Sequence, residues 1–241
     1  MEIFKVTQTG PQVQESLDYP EGAPIESGTG SNSIVQKGGD NHATGKNSSA
    51  LGEKTTASGN EACSYGDSTV ASGNNSHAEG HHTTASGASS HAEGNNTEAS
   101  DDYAHAEGFG ARATGYVSHA EGDGTEASGT RSHAEGSTTV ASGDSSHAGG
   151  TFSVASGENA FAHGENVTAQ NDGEIAVGRH NVSIENVSAF SVGVGEFGQA
   201  KNGFLITEDG KIYIPGIGGY TGVETDLTGI SDLATIIAGL Q

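Results

Sequence analysis

Ser118-His119-Ala120-Glu121-Gly122-Asp123-Gly124-Thr125-Glu126-Ala127-Ser128-Gly129 is followed, fourteen residues after its start, by Ser132-His133-Ala134-Glu135-Gly136-Ser137-Thr138-Thr139-Val140-Ala141-Ser142-Gly143. Each unit holds two heptads, and each heptad closes on glycine. Working outward, eighteen of the twenty heptads ending between positions 45 and 178 end in Gly, the exceptions being Asp101 and Asn171. Asn and Asp are the other residues that tolerate a left-handed backbone, so the position is expected to demand positive φ at a recurrent turn. Nineteen of the twenty heptads carry Ala two residues before that turn, with Ser64 the departure. Regularity at this level names a repeat architecture before any local reading.

Two flavours alternate. Ser-His-Ala-Glu-Gly recurs at residues 76–80, 90–94, 118–122 and 132–136, and Thr-x-Ala-Ser-Gly at 55–59, 69–73, 83–87 and 139–143. The pairs between them include the turn formers Asn74-Asn75, Asn95-Asn96, Asp123-Gly124 and Asp144-Ser145. A coiled coil is excluded: Gly in a helix interior costs about 1 kcal/mol each, and large apolar a and d residues are missing. A five-residue strand plus a two-residue turn fits instead. Two strands per coil make an all-β parallel β-solenoid with 14-residue coils, and ten coils at about 4.8 Å give a rod of roughly 48 Å.

Strand alternation assigns the faces. Ser or Thr, Ala and Gly, the first, third and fifth residues of each pentad, point into a narrow interior. In the Thr flavour the second position drifts (Thr56, Val70, Thr84, Glu98, Arg112, Glu126, Val140), as a solvent-facing position does. In the other flavour it is His77, His91, His105, His119, His133 and His147, with Glu79, Glu93, Glu107, Glu121 and Glu135 two residues later. A face this uniform is expected to pack against something equally regular. Burying two Ala methyls per coil yields about 1–2 kcal/mol, whereas ordering fourteen residues costs at least about 14 kcal/mol of backbone entropy. Self-association of three rods through the uniform face answers that deficit.

The pattern resembles the head repeats of the YadA-like trimeric adhesins, whose motif runs approximately Asn-Ser-Val-Ala-Ile-Gly. The nearest stretches are Glu174-Ile175-Ala176-Val177-Gly178 and Ala189-Phe190-Ser191-Val192-Gly193, fifteen residues apart, so the register slips by one. Ser-His-Ala-Glu-Gly is similar to repeats of phage and prophage tail or appendage proteins. The resemblance spans about residues 38–193. It implies a left-handed parallel β-roll in a homotrimeric fibre, with the second and fourth residues of this strand facing neighbouring subunits. The implied trimer interface is Leu51, the His and Glu columns just named, and Phe161, Ile175, Val177, Phe190 and Val192: a polar middle between two apolar collars.

Residues 1–37 are read as an N-terminal attachment segment and linker, and 194–241 as a small C-terminal unit. A strand is expected at residues 2–7, a short helix with Pro11 in its first turn and Val13 and Leu17 on one face, and a linker over 19–33. Residues 9–14 resemble the N-terminal segments of gut-phage fibre proteins, which implies docking on other virion proteins. Asp209-Gly210 between two apolar runs predicts a hairpin. Ile230, Leu233, Ile237 and Leu240 suit a short helix able to pack in a trimer.

The net charge of −22 argues against nucleic acid or anionic membrane as partner. The start has no signal-peptide pattern, no stretch suits a membrane-spanning helix, and amphipathic anchor strands are missing from the C-terminus. A cell-anchored autotransporter is therefore disfavoured unless the sequence is a fragment. Cys63 occupies an interface-facing position and reads as a buried thiol, with no disulfide framework.

The His series is the one constellation suited to chemistry. The favoured reading is structural, each His bonding to Glu or water across the interface. Metal or anion capture by three symmetry-related His is the competing reading, and no metal or other cofactor is assigned. An enzyme is not expected, because Ser76 and its equivalents point away from the His face. His81 and His82 are expected at a surface turn. The inward Thr ladder argues against ice binding, and Asp101-Asp102 and Asp172-Gly173 read as turn residues rather than calcium ligands. Two protonation models stay open: His paired with Glu, its pKa raised, or His buried and neutral, so that acid dissociates the trimer. The function expected is structural: a bacteriophage head or tail fibre in the virion, able to reach a host surface receptor. The alternative is the head of a bacterial cell-surface adhesin that binds host matrix.

Overall fold

The computed structural model describes residues 25–183 and 188–210, and the backbone of strands Ile212–Pro215 and Glu224–Asp226. The strand and helix expected within residues 1–24, and the helix expected over 230–240, lie outside the described residues.

The described residues wind into an all-β solenoid of stacked parallel strands, about 11 turns long. Among the described residues one sheet has 16 strands and the other 10. Between the strands Ile34–Gln36 and Ser188–Val194 the larger sheet is parallel, and through its middle each residue pairs with its equivalent fourteen residues on, as in His105↔His119 and Glu107↔Glu121. The register slips to fifteen residues at both ends, Ile34↔Ser49 and Ile175↔Phe190. Antiparallel strands then close the sheet. Asn202–Thr207 pairs with Ile212–Pro215 through Leu205↔Tyr213, with Asp209-Gly210 in the turn between. Coil winding also begins before residue 38, since Ile34–Gln36 already belongs to the parallel array.

The two flavours do not form equal strands. His-Ala-Glu-Gly-x makes a five-residue strand such as His119–Asp123, whereas the Thr flavour keeps only two, such as Glu126–Ala127. Both place the same positions inside. Ala120 and Ala127 are 0 % exposed, and Ser118 and Thr125 are 1 % exposed. The inward serines are satisfied locally: Ser132 Oγ donates to the Gly129 carbonyl at 2.7 Å.

The glycine rule has two causes, and positive φ accounts for only half of it. At the end of the His strands φ is left-handed, as at Gly122 (φ 114°). At the end of the Thr flavour it is not. There a Cβ on Gly129 would lie 2.0 Å from the Gly143 carbonyl oxygen of the next coil, so close coil packing selects against a side chain at that coil. Asp101 and Asn171 both fall in this second column, so the left-handed explanation of those two departures is wrong.

The recurrent left-handed turn sits two residues after each heptad end and accepts almost any side chain, including Tyr103, Val117 and Phe152. An inter-coil hydrogen bond holds it, as Val117 N–H donates to the Asp102 carbonyl at 3.0 Å. Asn and Asp one residue earlier add a second link: Asp102 Oδ1 accepts Ala88 N–H at 2.8 Å, and Asp172 Oδ1 accepts Glu158 N–H at 2.9 Å. Asp102 and Asp172 are therefore bonded turn residues.

Candidate functional site

Parallel in-register stacking turns one repeated residue into a column. The second position of the long strands runs Ser49, Cys63, six His from His77 to His147, Phe161, Ile175 and Phe190, and the fourth runs Leu51, Tyr65, Glu79 to Glu135, Gly149, His163, Val177 and Val192. All the residues expected at an interface thus lie on one face of one sheet.

The imidazoles of His77, His91, His105, His119 and His133 stack nearly parallel, with centroids 4.7–4.9 Å apart and planes within 4°. The stack ends at His147, turned 65° from His133. Each ring is about two-thirds covered, His105 and Glu107 being 36 % and 35 % exposed. Ion-pair partners change along the ladder. His77 and His91 approach the Glu of their own strand, at 3.4 Å (Glu79) and 3.7 Å (Glu93). His133 and His147 reach back one coil, to Glu121 at 3.4 Å and Glu135 at 3.3 Å. The Nε2 atoms of His77, His91, His105, His119 and His133 are shielded from solvent and make no hydrogen bond. Burial, then the neighbouring imidazoles, push the pKa of His77 and His119 below the ordinary 6.5, and burial followed by His133 does the same for His147. The nearby carboxylates act in the opposite direction without reversing the shift.

Beside the rings, Glu93, Glu107, Glu121 and Glu135 with Gly108, Gly122 and Gly136 line an open groove of about 410 Å³. The inward serines lie on the other side of the strand, so no Ser–His pair forms here: Ser76 is 1 % exposed and its Oγ donates to the Gly73 carbonyl. At the collars, Ile175 is 42 % exposed, a large apolar side chain left open on a single chain.

Three members of this face were not singled out from sequence. Tyr65 meets His77 edge-on at 5.5 Å, and burial raises its phenol pKa. His163 and Gly149 form a complementary pair: a Cβ on Gly149 would lie 2.5 Å from the His163 ring, which enters that gap and reaches Glu135 at 3.7 Å. The signal was present, since both replace Glu in the fourth column. Cys63 is half-buried in the second column. His81 ends the strand His77–His81 and His82 follows it in a bend, both exposed, with His81 3.7 Å from Asp67.

At the late end the interior holds a charge. Glu174 is 0 % exposed, and its Oε2 accepts Gln170 N–H, Asn171 N–H, Asn171 Nδ2 and Ser183 Oγ at 2.8–3.1 Å. Desolvation outweighs these bonds and raises its pKa above the ordinary carboxyl value. The knot sits where the register slips, joining the last regular coil to the strand Ser188–Val194 through Asn171 Nδ2 and the Ser188 carbonyl.

A solenoid of identical coils with one uniform, part-covered face defines a repeat-built fibre or adhesin-type module. YadA head domain repeats match residues 43–62, 64–90, 78–97, 134–160 and 148–169, so the coils in these stretches are repeats of that family. The intervening coils keep the same register through Glu98↔Arg112 and His119↔His133. No curated protein matches the chain.

Proposed function

We propose that three copies of this chain bundle through the His–Glu face into a stiff, adhesin-like fibre that holds or presents a binding end. The carrying observation is a His ladder repeated without drift from His77 to His147, in which the Nε2 atoms of His77, His91, His105, His119 and His133 are shielded and make no hydrogen bond on one chain. The exposed Ile175, with Phe161, Val177, Phe190 and Val192 around it and Leu51 at the early end, supplies apolar collars to either side of the polar ladder. The interior of small side chains gives each coil little hydrophobic stabilisation of its own. YadA head repeats, a trimeric building block, support the same assembly.

In this reading the fibre is a virion appendage of a bacteriophage, docked on other virion proteins by its N-terminal segment and directed at a host surface receptor. The similarity of Ser-His-Ala-Glu-Gly to phage appendage repeats supports it. The YadA match supports a bacterial cell-surface adhesin equally well. Immunogold electron microscopy of the producing culture separates them. Label on phage particles supports the virion reading, label on the outer cell surface supports the adhesin, and label confined to the cell interior contradicts both.

A further inference from the structure

The glutamate column carries a charge that its neighbours on the same face do not neutralise. Glu93, Glu107, Glu121 and Glu135 stand in register on adjacent strands, and like charges opposite each other across strands are destabilising. The two columns contain no Lys or Arg. The imidazoles stack face to face, so adjacent rings cannot both become cations without repelling each other.

Three sets of ligand atoms converge. Glu93, His105 and Glu107 bring one atom each within 4.8 Å of one another, and so do Glu107, His119 and Glu121, and Glu121, His133 and Glu135. The Nε2 atoms of all three histidines make no hydrogen bond, which leaves their lone pairs available when the rings are neutral. The carboxylates face the open groove, so an ion can reach them. One imidazole nitrogen with two carboxylate oxygens suits a divalent first-row cation such as Zn²⁺, which binds these atoms at about 2.0–2.2 Å. The carboxylates are part-exposed, so their side chains are free to rotate towards an ion held between the three atoms.

We propose that the ladder binds two divalent transition cations per chain, one at Glu93, His105 and Glu107 and one at Glu121, His133 and Glu135. The middle set shares a carboxylate with each of the others, so filling all three would place cations on adjacent rungs, about 4.8 Å apart. The two outer sets share no residue and lie about 9.6 Å apart. Together they neutralise the four carboxylates with four positive charges. The inference uses residues of one chain and stands apart from the trimer reading.

The test is a Zn²⁺ titration of the chelator-treated, tag-free full chain, followed by calorimetry and native mass spectrometry, with a melting curve for each variant. The expected result is two equivalents per chain in the native sequence and in His119→Ala. One equivalent is expected in His105→Ala, in His133→Ala, and in Glu93→Gln, which keeps the side-chain volume. His81→Ala with His82→Ala should retain both, since this exposed pair is not part of the ladder. No saturable binding, three equivalents, or loss of an equivalent in His119→Ala but not in His105→Ala would overturn the proposal. The same spectra report assembly mass. A single chain holding two Zn²⁺ contradicts only the trimer, and a trimer without Zn²⁺ contradicts only the cation sites.

Discussion

Gly129→Ala separates the two reasons for glycine in this repeat. Gly129 has no positive φ, so an alanine there incurs no left-handed penalty. Its Cβ would nevertheless lie 2.0 Å from the Gly143 oxygen and 2.5 Å from the Gly143 carbonyl carbon, both backbone atoms of the next coil. A comfortable carbon–oxygen approach is about 3.3 Å, so the coils must part locally by about 1 Å. The bonds from Ser128 N–H and Gly129 N–H to the Ala141 carbonyl, now 2.9 and 3.2 Å, would then pass out of hydrogen-bond range. Two lost bonds at about 1 kcal/mol each, with overpacking strain of about 1–3 kcal/mol, place the cost at about 3 kcal/mol or more. Gly124→Ala is the control. Its φ is 62°, but the nearest atom to a new Cβ is Thr138 Oγ1 at 3.7 Å. The left-handed conformation alone costs about 1–2 kcal/mol. Denaturant unfolding followed by far-UV circular dichroism gives the two values. Amide exchange shows whether protection is lost mainly across residues 126–143, as nearest-neighbour stacking requires. If Gly124→Ala costs as much as Gly129→Ala, close coil packing is not the reason for the second glycine column.

Three further outcomes are expected. In chelator, thermal stability should fall as pH drops below about 6.5. His77, His119 and His147 have lowered folded pKa values, so the unfolded chain takes up protons first, and stability present above the unfolded value is lost on acidification. A melting temperature that rises on acidification between pH 7 and 5 contradicts this. Val117→Asn should stabilise by about 1 kcal/mol in denaturant unfolding, because a β-branched residue is replaced where φ is 57° by one that tolerates the left-handed region; no gain would mean that Val117 packs against something the turn needs. Glu174→Ala should cost about 2–3 kcal/mol by leaving buried donors unpaired, whereas Glu174→Gln should unfold at or above the native denaturant midpoint at pH 7. The raised pKa of Glu174 makes its contribution full below the ordinary carboxyl value and lost as pH rises through the folded one, so equal losses in both variants would contradict that sign.

The solenoid, its 14-residue coil and its inward face were legible because Ser, Ala and Gly recur at fixed spacing, and only small side chains fit so thin an interior. Strand lengths were not legible. Thr-Glu-Ala-Ser-Gly and Ser-His-Ala-Glu-Gly have the same small-residue frame, yet Glu126–Ala127 pairs over two residues and His119–Asp123 over five. The glycine rule hid two constraints under one letter, because positive φ and carbonyl contact both exclude a side chain. Sequence also placed the left-handed turn two residues early. Val117 and Phe152 occupy the true position, and nothing in their identity advertises it, since the hydrogen bond to the coil before holds them there. On the candidate face the His and Glu columns were readable from period alone. The exchange of ion-pair partner between His105 and His133 was not, because it depends on side-chain rotamers, and the Gly149–His163 pair needed the register between coils to be seen.

Solution mass under native conditions bears most directly on the claim that two further copies cover the His–Glu ladder. At micromolar concentration and pH 7.5, mass photometry or light scattering should give about 72 kDa, three times the 24.1 kDa chain. A stable, folded particle of 24.1 kDa would contradict it.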